Sequence, residues 1–502
     1  MLNKARKFRG GYIFKKPACV LNSGIEKAAI PSKVTIPLKL RFGTTITPLV
    51  KIGDRVRAGE IIARDDETIS TPAISSVNGE VSDILQINYY YGKVDAVVIL
   101  SDGTEDHITL GEAGDNYSKL SFEKISELIY TSGAASLGKS GIPTIFKSSP
   151  ARPKSINDLI ITTFDTGPFS LDNRIIFKAR GGDFFKGIAI LKRALPNAKV
   201  TIAIDRKNTV FSKEIIDALR GGAKPAEAPD WIFVQPLDKK YPQESEEMLA
   251  RTILAKKIPL GGLGTDIGVL ILDIHAVQRV YEAVALGKPY IERTVALAGS
   301  ACKWQKCVNF RIGMPLRELI GNNIKDGKEF RAIFGNAMTG ILQKDLSVPV
   351  GRSIGHVTVL EETKTRQPLA FLRLGARKDS YSRAFLSSCL SSPGIEYDSN
   401  THGELRPCIQ CGYCDEVCPV GIIPHLLHKQ IHHGICEGAQ RLGIFECIDC
   451  GLCSYVCPCK IPLADDIASG KMKLIEEGCT VPSVKVKESE AAAKLYRGRM
   501  PL

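Results

Sequence analysis

The sequence predicts a multidomain α+β protein, and three observations carry that expectation. The chain has 502 residues, more than one hydrophobic core usually serves. Its grain changes along its length, from short β-branched runs cut by Gly turns to alternating strand-like and helix-like segments. Near the C-terminus a cysteine motif occurs twice, as CIQCGYCDEVCP and CIDCGLCSYVCP.

Composition narrows the classes. With 44% hydrophobic and 24% charged residues the chain is ordinary for a folded protein. The net charge of +13 suits an anionic partner, but no nucleic-acid motif accompanies it, so nucleic acid is not expected as a partner. The longest apolar runs, such as IGVLILDI at 267–274, are far shorter than a membrane-spanning helix. The basic opening MLNKARKFRGGYIFKK lacks an apolar core and a cleavage site, so a cytoplasmic location is expected, with KARKFRGGYIFKK as a docking strip for partners.

Residues 36–81 alternate β-branched runs with Gly-Asp, Ala-Gly and Asn-Gly turns, the pattern of a hairpin-built β domain. They resemble the biotinyl/lipoyl barrel-sandwich fold, and the expected N-terminal lipoyl-like domain covers 1–110. A swinging-arm carrier needs an acceptor lysine between the two halves, and none occurs from 52 to 86. The domain therefore reads as a packing or docking unit.

Residues 111–285 alternate strand-like DLIITTF, KVTIAID, WIFVQP and IGVLILD with helix-like stretches, predicting an α/β Rossmann-like domain around a largely parallel sheet. Ahead of that sheet lies SLGKSGIPT, whose glycines could bring backbone N–H groups near a phosphate. Residues 286–395 follow as a small ubiquitin-like α+β module with a connector, containing Cys302 and Cys307, two thiols too few for a cluster.

The doubled motif defines 396–470, expected as a helical two-cluster ferredoxin domain, before a tail at 471–502. Eight of the fifteen cysteines sit in it. Thiolates three positions apart on a tight loop can converge on one iron–sulfur cube, and in two-cluster proteins of this kind the cysteine before proline ligates the other cluster. The spacing thus assigns Cys408, Cys411, Cys414 and Cys457 to one [4Fe–4S] cluster and Cys447, Cys450, Cys453 and Cys418 to the second. Zinc would not need the third cysteine or the Cys-Pro pair. Cys459 could compete for a ligand position. The intervening segment, with Leu426, Leu427, Ile431 and Ile435, should be helical. Its histidines, His425, His428, His432 and His433, show no convincing ligand pairing and read as solvated or packing residues.

This order of parts resembles the C component of the Rnf ion-translocating electron transport complex. The resemblance rests on the lipoyl-like domain, the α/β domain, the ERTVALAG and IGMPLRELI stretches and the doubled C-x-x-C-x-x-C-x-x-x-C-P segment. It implies a peripheral subunit on the cytoplasmic face of the inner membrane, relaying electrons between a soluble donor such as NADH or ferredoxin and integral membrane subunits. It also implies FMN at Gly138, Lys139 and Gly141. The chain departs from the family there: Lys139 and Ser140 stand where Gly and Ala are usual, and the acidic E-C-E-P-Y segment is replaced by DTGPF at 165–169. These segments, with RPKSINDLIITTFDTGP and PLAFLRLGARKDSYSRAFLS, are instead similar to the A component of the Na⁺-translocating NADH:quinone reductase, which favours a vestigial flavin pocket. The alternative is a soluble flavin and iron–sulfur reductase serving a separate enzyme.

Overall fold

The computed structural model describes residues 7–14, 24–39, 45–65, 71–111, 117, 119–134, 156–170, 173–220, 231–259, 262–363, 381 and 397–478. The flavin-loop positions Gly138, Lys139 and Gly141 lie outside them, as do most of 368–387 and the tail beyond 478.

The N-terminal strands make two antiparallel sheets. One orders Lys33–Pro37, Gly92–Ser101, Gly79–Tyr89 and Arg55–Val56, and the other Thr47–Pro48, Ile61–Arg64 and Ala73–Ile74. Alternation puts Val34 and Ile36, Val97 and Ile99 on the inside, where Ile62 and Val81 meet them. At the Asn-Gly turn the glycine is required by space, because a Cβ on Gly79 would lie 1.8 Å from the Leu100 carbonyl oxygen. This core continues without a break into that of the α/β region, so the β domain is a packed wall.

The α/β region has four parallel strands in the order Ile232–Leu237, Lys199–Asp205, Asp158–Thr162 and Val269–Asp273. Val200, Ile202, Ala203 and Ile204 are all buried, as expected where helices cover both faces. One face is covered by the helical turns of 246–254, with Leu249, Ala250 and Ile253, and the other by Phe122–Thr131, Asn173–Ala194 and Ile274–Ala285. The last begins where Asp273 Oδ1 accepts from the Ala276 N–H at 2.7 Å. The chain adds strands on one side of Asp158–Thr162 and then returns to its other side, so a crevice opens at the strands' carboxyl ends.

A six-stranded mixed sheet follows, ordered Ile25–Lys27, Lys306–Arg311, Glu292–Ala298, His356–Glu361, Phe330–Phe334 and Ile341–Gln343, with the helix Leu316–Ile320 between strands. Its first strand comes from the N-terminal region: Ile25–Lys27 pairs in parallel with residues 307–309. The expected 1–110 unit is thus not self-contained, and a strand of three residues is too short to show a pattern in the sequence.

Residues 397–478 are helical and carry the repeat. Tyr413–Val417 and Leu452–Val456 follow the second cysteines of the two motifs and carry the third, while Pro424–His432 and Leu463–Glu476 follow the two Cys-Pro pairs. Like pairs with like across an approximate dyad, as contacts join the two short helices and the two long ones.

The N-terminal residues close the assembly. Tyr12 exchanges backbone hydrogen bonds with Tyr241 at 2.9 and 2.8 Å, and the Gly11 N–H donates to Val417 O at 2.8 Å. Lys240 Nζ donates to Phe8 O at 2.6 Å and Gly10 O at 2.5 Å. Part of the basic opening, expected as a strip for outside partners, is therefore bound within the chain.

Candidate metal centre

The two cysteine loops share one backbone. Gln410 and Asp449 adopt φ of 55° and 53°, Gly412 and Gly451 of 76° and 80°, and Gly421 and Lys460 of 77° and 58°. These left-handed residues turn N–H groups toward sulfur. The Gln410 N–H donates to Cys408 Sγ at 3.4 Å and the Asp449 N–H to Cys447 Sγ at 3.5 Å. Amides of Val420, Gly421 and Ile422 face Cys418, and those of Cys459 and Ile461 face Cys457.

Position groups the thiols across the motifs. Cys418 lies close enough to Cys447, Cys450 and Cys453 that its thiolate would raise each of them. Cys414 and Cys457 both feel Cys411. Cys408 packs with Cys414 and Cys457 in one apolar cluster, which Cys453 and the buried Cys459 also join. Burial pushes Cys414, Cys447 and Cys450 up to about 12, and neighbouring carboxylates and thiols push the same way. Bare thiolates are therefore costly here. A cationic iron core resolves that cost, and the aimed amides stabilise the charge left on the sulfurs, so these residues fit an iron–sulfur group.

Charged neighbours make the two halves unequal. Lys471, 1% exposed, donates to Cys447 O at 3.0 Å and to the Asp449 carboxylate. The matching residue of the first repeat is His432, whose side chain is 61% exposed. Beside Cys414 the near groups are Asp415 and His425, joined at 3.0 Å. Lys471 was not legible as a site residue, because a lysine on a helix that also carries Asp465, Asp466 and Glu476 looks solvated. Of the histidines expected to be solvated or packing, His428 and His432 stand beside Asp466. Cys302 and Cys307 are buried in the small α+β region, away from both motifs, while Cys19, Cys389 and Cys479 lie outside the described residues.

A cleft of about 1750 Å³ runs from the carboxyl ends of the parallel strands to the second cysteine loop. Asp165, Glu244, His275 and His356 line it at one end, Asp449 and Cys450 at the other. The DTGPF segment directly follows the first parallel strand, and its Asp165 lies 3.9 Å from His356 Nε2. Thr166 Oγ1 donates to Glu244. Although His275 keeps some surface on the cleft, burial pushes its imidazole down to about 4, helped by Arg293 and Arg279 and opposed by Asp273 and Asp165. Arg293 is engaged by the carbonyls of Ile354 and Arg352 and by Tyr290. Tyr241 ties cleft to motif, its hydroxyl donating to Cys450 O at 2.7 Å.

Three family models match in the order of the folded parts. Residues 6–104 match the RnfC barrel sandwich hybrid domain, 129–282 the Nuo51 FMN-binding domain, and 403–458 the 4Fe-4S dicluster domain. The first of these is the RnfC family's own domain, and the chain is similar to RnfC relatives over most of its length. The dicluster match supports two [4Fe–4S] clusters, and the match to the Nuo51 FMN-binding domain keeps FMN as a candidate cofactor. Among RnfC members, the C component of the ion-translocating oxidoreductase complex of Pseudomonas aeruginosa is 28% identical over 408 residues, 80% of this chain and 47% of that protein. The C component of the proton-translocating ferredoxin:NAD(+) oxidoreductase complex of Clostridium ljungdahlii is 25% identical, covering 84% of each chain. The chain thus spans about half the length of some relatives and most of others. A chain of an NAD+-reducing [NiFe]-hydrogenase is 13% identical and covers 77% of this chain and 69% of that one, with a TM-score of 0.42, too low to bear on the fold.

Proposed function

We propose that this chain is the peripheral iron–sulfur electron-transfer subunit of an Rnf-type ion-translocating oxidoreductase complex, working between a soluble donor and integral membrane subunits on the cytoplasmic face. The observation that carries the proposal is the grouping of thiols across the repeat, with Cys418 among Cys447, Cys450 and Cys453, and Cys457 among Cys411 and Cys414. The ligand sets that follow are Cys408, Cys411, Cys414 and Cys457 for one cluster, and Cys447, Cys450, Cys453 and Cys418 for the other. Each cluster, when bound, supplies one-electron transfer. The protein holds the two centres in one helical unit, limits water around the sulfurs and docks the second loop on the cleft.

That docking uses named contacts. Glu446 accepts from Arg251 at 2.7 Å and lies 3.0 Å from Lys257 Nζ, and Tyr241 holds Cys450 O. A two-electron donor bound in the cleft would therefore lie beside the Cys447, Cys450, Cys453 and Cys418 centre. The fold class is the multidomain α+β arrangement with the small ubiquitin-like module between the α/β and ferredoxin parts. Residues Gly138, Lys139 and Gly141 would hold an FMN phosphate if the loop retains that role. Stoichiometric FMN in the purified chain would assign it so, and flavin-free chain would assign the vestigial alternative.

No helix among the described residues is long and apolar enough to cross a membrane, which supports attachment through partner subunits. Membranes from the native host, washed with high salt or carbonate, should release the chain carrying roughly eight irons. Resistance to both washes, or release with about four irons, would contradict the proposal.

A further inference from the structure

Among the described residues, one set of metal-type donors away from the eight motif cysteines has no assigned role. His428 and His432 lie one turn apart on the helix Pro424–His432, so their rings share a face, with centroids 4.4 Å apart. The helix Leu463–Glu476 crosses that face closely. A Cβ on Gly470 would meet Ile431 Cδ1 at 2.6 Å, and this approach brings Asp466, in the crossing helix's first turn, beneath the two rings. Asp466 Oδ2 is 2.7 Å from His428 Nδ1 and 3.8 Å from His432 Nε2. One donor atom from each residue lies within 4.8 Å of the other two.

We propose that His428, His432 and Asp466 form a binding site for a divalent transition metal of the zinc class, clipping together the helices that follow the two cysteine motifs. Two imidazole nitrogens and one carboxylate oxygen suit zinc, nickel or cobalt, whereas magnesium and calcium prefer an all-oxygen set. Three protein ligands leave a fourth position for water. The exposed His432 gives an ion in solution direct access. On binding, the proton held between His428 Nδ1 and Asp466 Oδ2 leaves that position, passing through water to the ring's Nε2 or out to solvent, so that the Nδ1 lone pair and the Asp466 oxygen both face the metal. No electron is transferred. The site contains no thiolate, so it is chemically separate from both clusters, and its occupancy should stiffen the two-helix frame that carries them.

The test uses the full chain with both clusters loaded, dialysed anaerobically against chelator-buffered zinc. Iron and zinc are counted by mass spectrometry, and unfolding temperature is followed through the cluster absorbance. The wild type should retain about one zinc per chain, more than about tenfold tighter than His432→Ala, since even supporting residues around a metal cost that much. Zinc should raise the unfolding temperature of the wild type and not of the variant, at equal iron content. His428→Ala, measured the same way, guards against an effect peculiar to one substitution. Equal zinc retention in wild type and both variants, or no retained zinc in the wild type, overturns the proposal.

Discussion

At the scale of single residues, Lys471 has the largest expected effect. Its ammonium sits at 1% exposure against Cys447 O and the Asp449 carboxylate. A buried cation favours the reduced, more negative form of a neighbouring cluster, because little solvent screens it. Lys471→Met should therefore lower the reduction potential of the centre at Cys447, Cys450, Cys453 and Cys418 and leave the other nearly unmoved. A potentiometric EPR titration separates the two, and equal shifts would refute the local effect. His275 gives a pH dependence of definite sign. Its folded value of about 4 lies below the ordinary 6.5, so below pH 6.5 the unfolded chain takes up a proton that the folded chain refuses. Stability should fall from pH 6.5 toward 4, by roughly 1–2 kcal/mol after allowing for the surface His275 keeps. His275→Gln should flatten that part of a denaturant-midpoint profile, and an unchanged slope would show that other groups carry it.

At the scale of elements, the N-terminal strap and the repeat explain what the sequence does and does not disclose. Gly10 and Gly11 take φ of 66° and 75°, and a Cβ on Gly10 would stand 2.5 Å from Cys418 O. Gly10→Ala should cost about 1–3 kcal/mol and displace the strap from the Cys418 turn. Faster loss of cluster absorbance on heating would register it, and unchanged heat stability would mean that the strap bears no strain from the substitution. Nothing in KARKFRGG signals this contact, since Gly-Gly after basic residues reads equally well as a linker. The cysteine motifs were legible because their short spacing and the Cys-Pro pairs recur in the sequence itself. The parallel strands were legible because burial on both faces leaves continuous apolar runs such as VLIL and VTIAI. Lys471, Asp466 and Tyr241 were not, because each gains its role from a partner distant in sequence. The His428 and His432 pair had the spacing of one helical turn as its only signal, and became informative only with Asp466 opposite.

At the scale of the whole molecule, the barrel-sandwich wall, the parallel sheet and the cluster unit meet around one cleft. The central claim is that the fourth ligands cross between the motifs. Its most direct measurement is EPR on anaerobically purified Cys418→Ser beside Cys457→Ser, with iron counted in each. Cys418→Ser should perturb the centre of Cys447, Cys450 and Cys453 and spare that of Cys408, Cys411 and Cys414, and Cys457→Ser should do the reverse. If each substitution instead altered the centre of its own motif and left the other intact, the crossed arrangement would be contradicted.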